Sequence, residues 1–289
     1  MKSFAELSEE SPPDFLYHYT SVDSVLKIVE SKSVWASKIH YLNDAEEFKY
    51  AVRKVRLLLK SKIEEAKLDD LKKFIEAVSD SLDHTEGINV CLFSLSEEGD
   101  LLSQWRGYCP PEGGMAIGFN SAALKQIVAT QPHLFWEALL RCIYDEAHQE
   151  ALLQPIVDSL VSELQEVVLR AVEGDAQNRA LENTKVRFFE MFLPIASIIK
   201  NGAFREEKEW RLCGLMHRHS INFRAGRSML IPYYRWSLES DSVSFPISKI
   251  IIGPSPHQEL SQGSMDRFLH RQGWRNCECL RSDVPFRTL

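Results

Sequence analysis

Between residues 146 and 200 the chain carries two long runs with apolar residues at helical spacing, Glu146 to Glu173 and Asn178 to Lys200. On either side the sequence is cut into short, β-branched and aromatic pieces. Strand and helix patterns in regular alternation would predict βαβ units and a parallel sheet. Strands gathered at both ends, with a helical block between them, favour an α+β fold. The expected architecture is a mixed, mainly antiparallel sheet with a helical insertion over residues 145–201. Pro194 is expected to kink or divide the second run. A length of 289 residues, with no repeat and no Pro/Gly/Ser-rich linker, reads as one domain spanning 1–289.

The first block starts with a strand, Phe15 to Tyr19, after Pro12-Pro13. Thr20 is the expected N-cap of the helix that follows, with Asp23 completing a capping box. Val34 to Ser37 reads as a second strand, and Asn43 or Asp44 as the cap of a helix carrying Phe48, Val52, Val55 and Leu59. A charged helix covers Leu68 to Leu82. Then come a buried strand (Asn89 to Leu95), a short helix (Asp100 to Tyr108), a strand (Gly114 to Phe119), a helix capped by Asn120, and a strand near Leu139 to Tyr144. After Gly202 the pattern predicts strands at 207–216, 228–236 and 248–252, a helix at 257–270 and a last strand at 278–281.

Hydrophobic residues make up 44% of the chain, enough for a substantial core without disulfides or a structural metal. The six cysteines are scattered, and Cys277-x-Cys279 lacks the second half-site of a zinc module, so no metal is expected. No run of eighteen apolar residues occurs and the first residues are acidic and polar, which predicts a cytoplasmic protein without membrane contact. The net charge of −7 is uneven: residues 200–289 hold fourteen Lys/Arg against nine Asp/Glu. Between Trp210 and Leu238 there is no acid, yet Arg211, Arg218, Arg224, Arg227 and Arg235 fall there. This sector from Arg211 to Arg235 reads either as a site for phosphate or nucleic acid or as a solvated strand face.

The chain has no Walker loop, no Gly-x-Gly-x-x-Gly after a strand, no His-Glu-x-x-His and no Gly-x-Ser-x-Gly. Its polar chemistry lies in four islands. In Tyr17-His18-Tyr19-Thr20, strand alternation turns His18 away from the two tyrosines, to meet a ribose or phosphate or to serve as a core histidine. Tyr41-Leu42-Asn43-Asp44 offers either ligand contacts or helix capping. Ser94 precedes Gln104-Trp105-Arg106-Gly107-Tyr108, where Trp105 and Tyr108 are expected to share a helix face as an aromatic wall or as core. In Glu207-Lys208-Glu209-Trp210-Arg211, strand periodicity would put Glu207, Glu209 and Arg211 on one face and Trp210 on the other. Two carboxylates beside an arginine can stabilise a developing cation. The plainer alternative is a set of surface ion pairs, and in the catalytic reading Glu209→Gln is expected to cost turnover while hardly affecting folding.

These islands occur in order with Phe93-Ser94, Gly114-x-x-Ile117-Gly118-Phe119, Ile250-Ile251-Ile252-Gly253-Pro254 and Ser282-x-x-Pro285-Phe286-Arg287. The series resembles the bacterial family known as domain of unknown function 2971, from about Phe15 to Arg287. The strand-His-hydrophobic-Thr opening is also similar to the DNA-modifying ADP-ribosyltransferase toxins and the RNA 2′-phosphotransferases. That likeness implies an ADP-ribosyltransferase-like fold with NAD as substrate. His18, Tyr19, Thr20, Asn43, Ser94, Trp105, Tyr108, Arg211 and Arg227 would then hold the dinucleotide. Glu209, with Glu207, would carry the chemistry. No middle-strand tyrosine stands where those proteins carry one, so Trp35, Trp105 or Tyr108 would have to stack on the nicotinamide. The resemblance implies a transferase or NAD glycohydrolase in anti-phage or toxin systems. A non-catalytic nucleotide- or nucleic-acid-sensing module and a protein-interaction partner remain as alternatives.

Overall fold

The computed structural model describes residues 4–42, 46–130, 136–170, 174–226, 228–240 and 243–285. Along the chain the elements are α1 (Phe4–Ser8), β1 (Phe15–Thr20), α2 (Val22–Ser31), β2 (Ser33–Lys38), α3 (Glu46–Glu65), α4 (Asp69–Ser81), β3 (Val90–Ser96) and α5 (Leu102–Tyr108). They continue with β4 (Met115–Asn120), α6 (Ser121–Thr130), β5 (Glu137–Arg141), α7 (Glu146–Leu169), α8 (Asp175–Ala196) and β6 (Glu209–Leu215). The chain then runs through β7 (Ile221–Ala225), β8 (Leu230–Ser237), β9 (Ile247–Ile252), α9 (Gln258–Arg271) and β10 (Glu278–Arg281). The fold is α+β. All strand pairs are antiparallel except β9 with β10, which makes the sheet mixed.

The sheet forks. β6 pairs with β3 along its whole length, from Val90 opposite Leu215 to Ser96 opposite Glu209. That fills one edge of β3, so β1 and β2 must share the other, and they meet it at opposite ends. Tyr17 of β1 lies opposite Ser96, whereas Ser37 and Lys38 of β2 lie opposite Leu92 and Cys91. One leaf then continues from β1 through β4 and β9 to β10, the other from β2 through β8 to β7. Between the leaves the Ser94 carbonyl accepts a hydrogen bond from Nδ1 of His18 at 2.9 Å. A side chain thus satisfies a backbone group that a ladder bond would otherwise hold.

Two large cores cover the sheet, beside a third, small one around Tyr19, Trp105, Ala116 and Ile251. On one side, Leu92, Leu140 and Cys213 meet α3, α4, α7 and α8 through Val55, Ile75, Leu160, Phe188 and Phe192. On the other, Phe93, Ile117, Trp210, Trp236 and Ile250 meet α2, α6 and α9. α7 and α8 lie in the chain between the paired strands β5 and β6. Pro194 does not divide α8. It sits in the last turn, and the helix stops at Ala196. The helix after β1 is capped by Ser21, whose Oγ accepts from the Ser24 amide, and not by Thr20, which is still in the strand. Asn120 caps α6 as expected, its side chain accepting from the Ala123 amide. The strand expected at 228–236 is one arm of a hairpin whose other arm, β7, was not expected, although Ile221-Asn222-Phe223-Arg224-Ala225 alternates apolar and polar residues over its short length. No described helix is long and apolar enough to cross a membrane.

Candidate functional site

A cleft of about 1500 Å³ opens at the fork. His18 and Ser94 stand at its apex, Trp35, Ser37 and Arg224 form the wall on the β2–β8–β7 leaf, and Gln104, Tyr108 and Phe204 form the opposite wall. Glu47, Lys200, Glu207, Glu209 and Arg211 make the floor. His18 and Glu209 also line one narrow crevice together with Tyr108 and Glu207. The sequence islands therefore converge, though not every residue arrives where periodicity would put it.

The floor is a buried ion cluster. Lys200 Nζ lies 3.0 Å from Glu47 Oε1, 2.6 Å from Glu207 Oε2 and 2.6 Å from Glu209 Oε2. Arg211 donates from Nε to Glu209 Oε1 at 2.8 Å and from Nη2 to Glu209 Oε2 at 3.0 Å, the two-pronged geometry that suits guanidinium and carboxylate. Its Nη2 also pairs with Glu47 Oε2, and its Nη1 donates to the Ser197 carbonyl at 2.7 Å. Arg211 is 1% exposed and Glu209 4%, so this is no set of surface pairs. The prior expectation that Glu209→Gln would spare folding falls with it, because a buried charge stripped of its partner is costly.

Local structure sets the arrangement. Strand alternation puts Glu209 and Arg211 on one face of β6 and Trp210, 2% exposed, in the opposite core, where its Nε1 donates to Glu97. Glu207 is not on that strand. It ends a 3-10 turn over 202–207, and Lys208 at φ 43° turns the chain into β6 through the left-handed region. The Glu207 carboxylate still reaches Lys200, and it accepts from the Tyr108 hydroxyl at 3.1 Å. The Glu209 amide donates to the Tyr144 hydroxyl at 2.9 Å.

The electrostatics follow from burial and charge together. Burial pushes the Glu209 carboxyl up, but Arg211 and Lys200 outweigh it and hold the group at about 2. Burial works to lower the Lys200 pKa, and Glu209 and Glu47 raise it above the usual lysine value. The His18 ring, 4.2 Å from Phe93, is pushed down to about 4 by burial, partly offset by its bond to the Ser94 carbonyl. His18 is therefore neutral near pH 7. Since a carbonyl only accepts, Nδ1 carries the proton and Nε2 is an acceptor. Burial, as the largest effect, also raises the Tyr108 phenol.

Three expected site residues do not line the large cleft, although Tyr19 borders the narrow crevice. Trp105 is not an aromatic wall with Tyr108. It is 5% exposed, donates to Asp100 Oδ1 at 2.7 Å and packs edge-on against Tyr19, away from the cleft. Its ring lies so close to Gly253 that a Cβ there would come within 2.8 Å of it. In the short helix α5 it is Gln104 and Tyr108, four apart, that face the cleft. Tyr19 belongs to the same small core, its hydroxyl donating to the Glu98 carbonyl and accepting from the Leu101 amide. Thr20 lines no part of the cleft, and its carbonyl takes the Cys109 thiol. Asn43, Asp44 and Arg227 lie outside the described residues. Lys200 is the main residue that periodicity missed. A lysine directly after Ile195-Ala196-Ser197-Ile198-Ile199 was the available signal, because a cation in such a run needs buried partners.

The basic sector divides in the same way. Arg211 is consumed by the floor, and Arg235 donates to Ser33 Oγ and the Ser31 carbonyl. Arg224 lines the cleft. The cysteines are all free, and Cys91, Cys142 and Cys213 are buried. Among the described residues no cluster of His, Cys, Asp or Glu is arranged to hold a metal ion.

The fork, the buried floor and the cleft above them form a polar cavity on an α+β scaffold. The family model described as a protein of unknown function, DUF2971, matches residues 104–212. That span includes Gln104, Tyr108, Lys200, Glu207, Glu209 and Arg211. No curated protein and no solved structure matches the chain.

Proposed function

We propose that the cleft binds NAD and that the protein is an ADP-ribosyltransferase-like enzyme, with the DUF2971 likeness running from Phe15 to Arg287. The observation that carries this reading is the charge on the floor. Three carboxylates (Glu47, Glu207 and Glu209) face two cations (Lys200 and Arg211), which leaves one net negative charge in a largely buried site. When the bond between nicotinamide and ribose breaks, the electron pair leaves with nicotinamide and C1′ becomes cationic. Fixed negative charge in a water-poor site stabilises that state better than solvent does. An acceptor hydroxyl, amine or water then bonds to C1′ and releases a proton.

The two glutamates take different parts in this reading. Both Glu209 oxygens are occupied by Arg211 and Lys200, so its part is to hold the floor together. The Glu207 oxygens are engaged too, by the Tyr108 hydroxyl and Lys200, but its side chain is 16% exposed and lines the cleft, which makes it the group to meet the ribose. Neutral His18 offers Nε2 to a ribose hydroxyl. The full engagement of Glu209 also favours a second reading, a sensing module that binds nucleotide without cleaving it.

Nicotinamide release from NAD by the wild-type protein and by Glu207→Gln separates the two readings. Turnover is expected to fall about a hundredfold in the variant, the usual size for one lost electrostatic stabiliser. The melting temperature would stay near that of the wild type. No release by the wild type, with a melting temperature that rises on adding NAD, leaves the sensing module. Neither release nor a thermal shift ends both.

A further inference from the structure

The wall opposite Tyr108 has a composition the floor chemistry does not use. Trp35 faces the cleft, and its ring is stacked from behind by Tyr233, centroids 4.6 Å apart and planes 30° from parallel. Tyr233 itself does not line the cleft. An indole fixed on one side and open on the other is a platform for a planar ring. Two residues along β2 on the same face, roughly 7 Å away by strand rise, Ser37 Oγ accepts from Arg224 Nη2 at 3.1 Å. That bond orients the guanidinium along the wall. Arg224 Nε is buried with no hydrogen-bond partner among the described residues. A buried donor without a partner is uncommon in a folded protein, and here it leaves the guanidinium incompletely engaged by protein groups. No acidic residue lies between Trp210 and Leu238 to supply one locally.

We propose that this wall is a nucleoside monophosphate subsite, with the base stacked on Trp35 and the 5′-phosphate on Arg224. The platform and the residue that holds the guanidinium lie two positions apart on one face of β2, and the planar fork of arginine suits a phosphate. The proposal rests on the cleft being a nucleotide site and adds which end of the ligand lies where. The phosphate meets the leaf that bears Arg224, while the ribose to be cleaved lies toward Glu207. Trp35 and Arg224 are binding residues here and take no part in bond breaking.

Calorimetric titration with AMP, adenosine and inorganic phosphate tests it, using wild type, Trp35→Leu, Trp35→Phe and Arg224→Gln, each checked for folding by urea denaturation. AMP should bind the wild type. Trp35→Leu should weaken AMP and adenosine alike by about tenfold or more, the scale of one lost stacking contact. Trp35→Phe, which keeps a ring, should recover most of that loss. Arg224→Gln should weaken AMP about tenfold and leave adenosine unchanged. Failure of the wild type to bind AMP, or AMP binding that both Trp35→Leu and Arg224→Gln leave intact, overturns the subsite. If nicotinamide release persists while those variants bind AMP normally, the subsite falls and the enzyme reading stands. If the AMP pattern holds without nicotinamide release, the enzyme reading falls and the subsite stands.

Discussion

Arg211 and Arg224 line the same cleft and are the same chemical group, yet they are held in opposite ways. Arg211 lies on β6, which is paired with β3 on one edge and β5 on the other, and its side chain is almost wholly buried. Two carboxylates and a backbone carbonyl take up its donors. Arg224 lies on β7, the end strand of its leaf, with one serine hydroxyl as partner and one buried donor unmet. An ion sealed into a sheet interior must bring its counter-charges with it, and the resulting cluster is architecture. An ion at a sheet edge keeps capacity in reserve. The floor of this cleft is therefore fixed and its wall is receptive.

The sharpest way to break that contrast is to remove each charge. Arg211→Met leaves three carboxylates facing Lys200 alone, and the expected loss in urea denaturation is about 3–5 kcal/mol. Glu209→Gln should cost a similar amount, since it strips Lys200 and Arg211 of their shared partner. A loss below about 1 kcal/mol for both would mean that the cluster is hydrated and the contrast mistaken.

Acid should act next. His18 is held at about 4, below its usual value near 6.5, so from pH 6.5 down to 4 the unfolded chain binds a proton that the folded one refuses. Stability must then fall as pH drops through that window, by about 2–3 kcal/mol. Glu209, held at about 2, continues the fall in a lower window, because stability present above its unfolded value near 4.5 is lost as pH approaches 2. His18→Gln should flatten the upper window and spare the lower. An unchanged slope between pH 6.5 and 4 would show that the His18 ring is open to water. The smallest effect belongs to Arg224→Gln, about 1 kcal/mol or less, since one partly exposed hydrogen bond is at stake. A loss as large as that of Arg211→Met would make the wall as structural as the floor.

Much of this was legible in the chain because period alone decides it. The two-residue repeat put Glu209 and Arg211 on one face and Trp210 on the other, and the helical spacing of Phe48, Val52, Val55 and Leu59 located α3. What periodicity cannot carry is the environment of a face. Glu209 and Arg211 read equally well as solvated pairs, and only α3 and the segment after α8, packing over them with Glu47 and Lys200, make the face an interior. Trp105 failed for a related reason. In a seven-residue helix packed on both sides, aromatic spacing does not say which side is core, and the answer came from Asp100, just ahead of the helix, and from Gly253, far along the chain. Thr20 lost its capping role because β1 runs one residue further than its aromatic run suggests.

The insertion of α7 and α8 between β5 and β6 has a consequence for the order in which the protein is made. β5 and β6 can pair only after the stretch from residue 142 to 208 has been looped out, and a long unstructured loop adds an entropic cost to that closure. Two helices packed on each other shorten the loop and are built from local contacts, the kind that form early. Lys200 emerges at the exit of this hairpin, and Glu209 starts the strand that must find β5. The charged floor therefore comes together only once the insertion has folded and brought its ends side by side. A chain arrested before that step has Glu209 and Arg211 without Lys200 beside them, so any chemistry that depends on the complete floor is withheld from incompletely folded molecules.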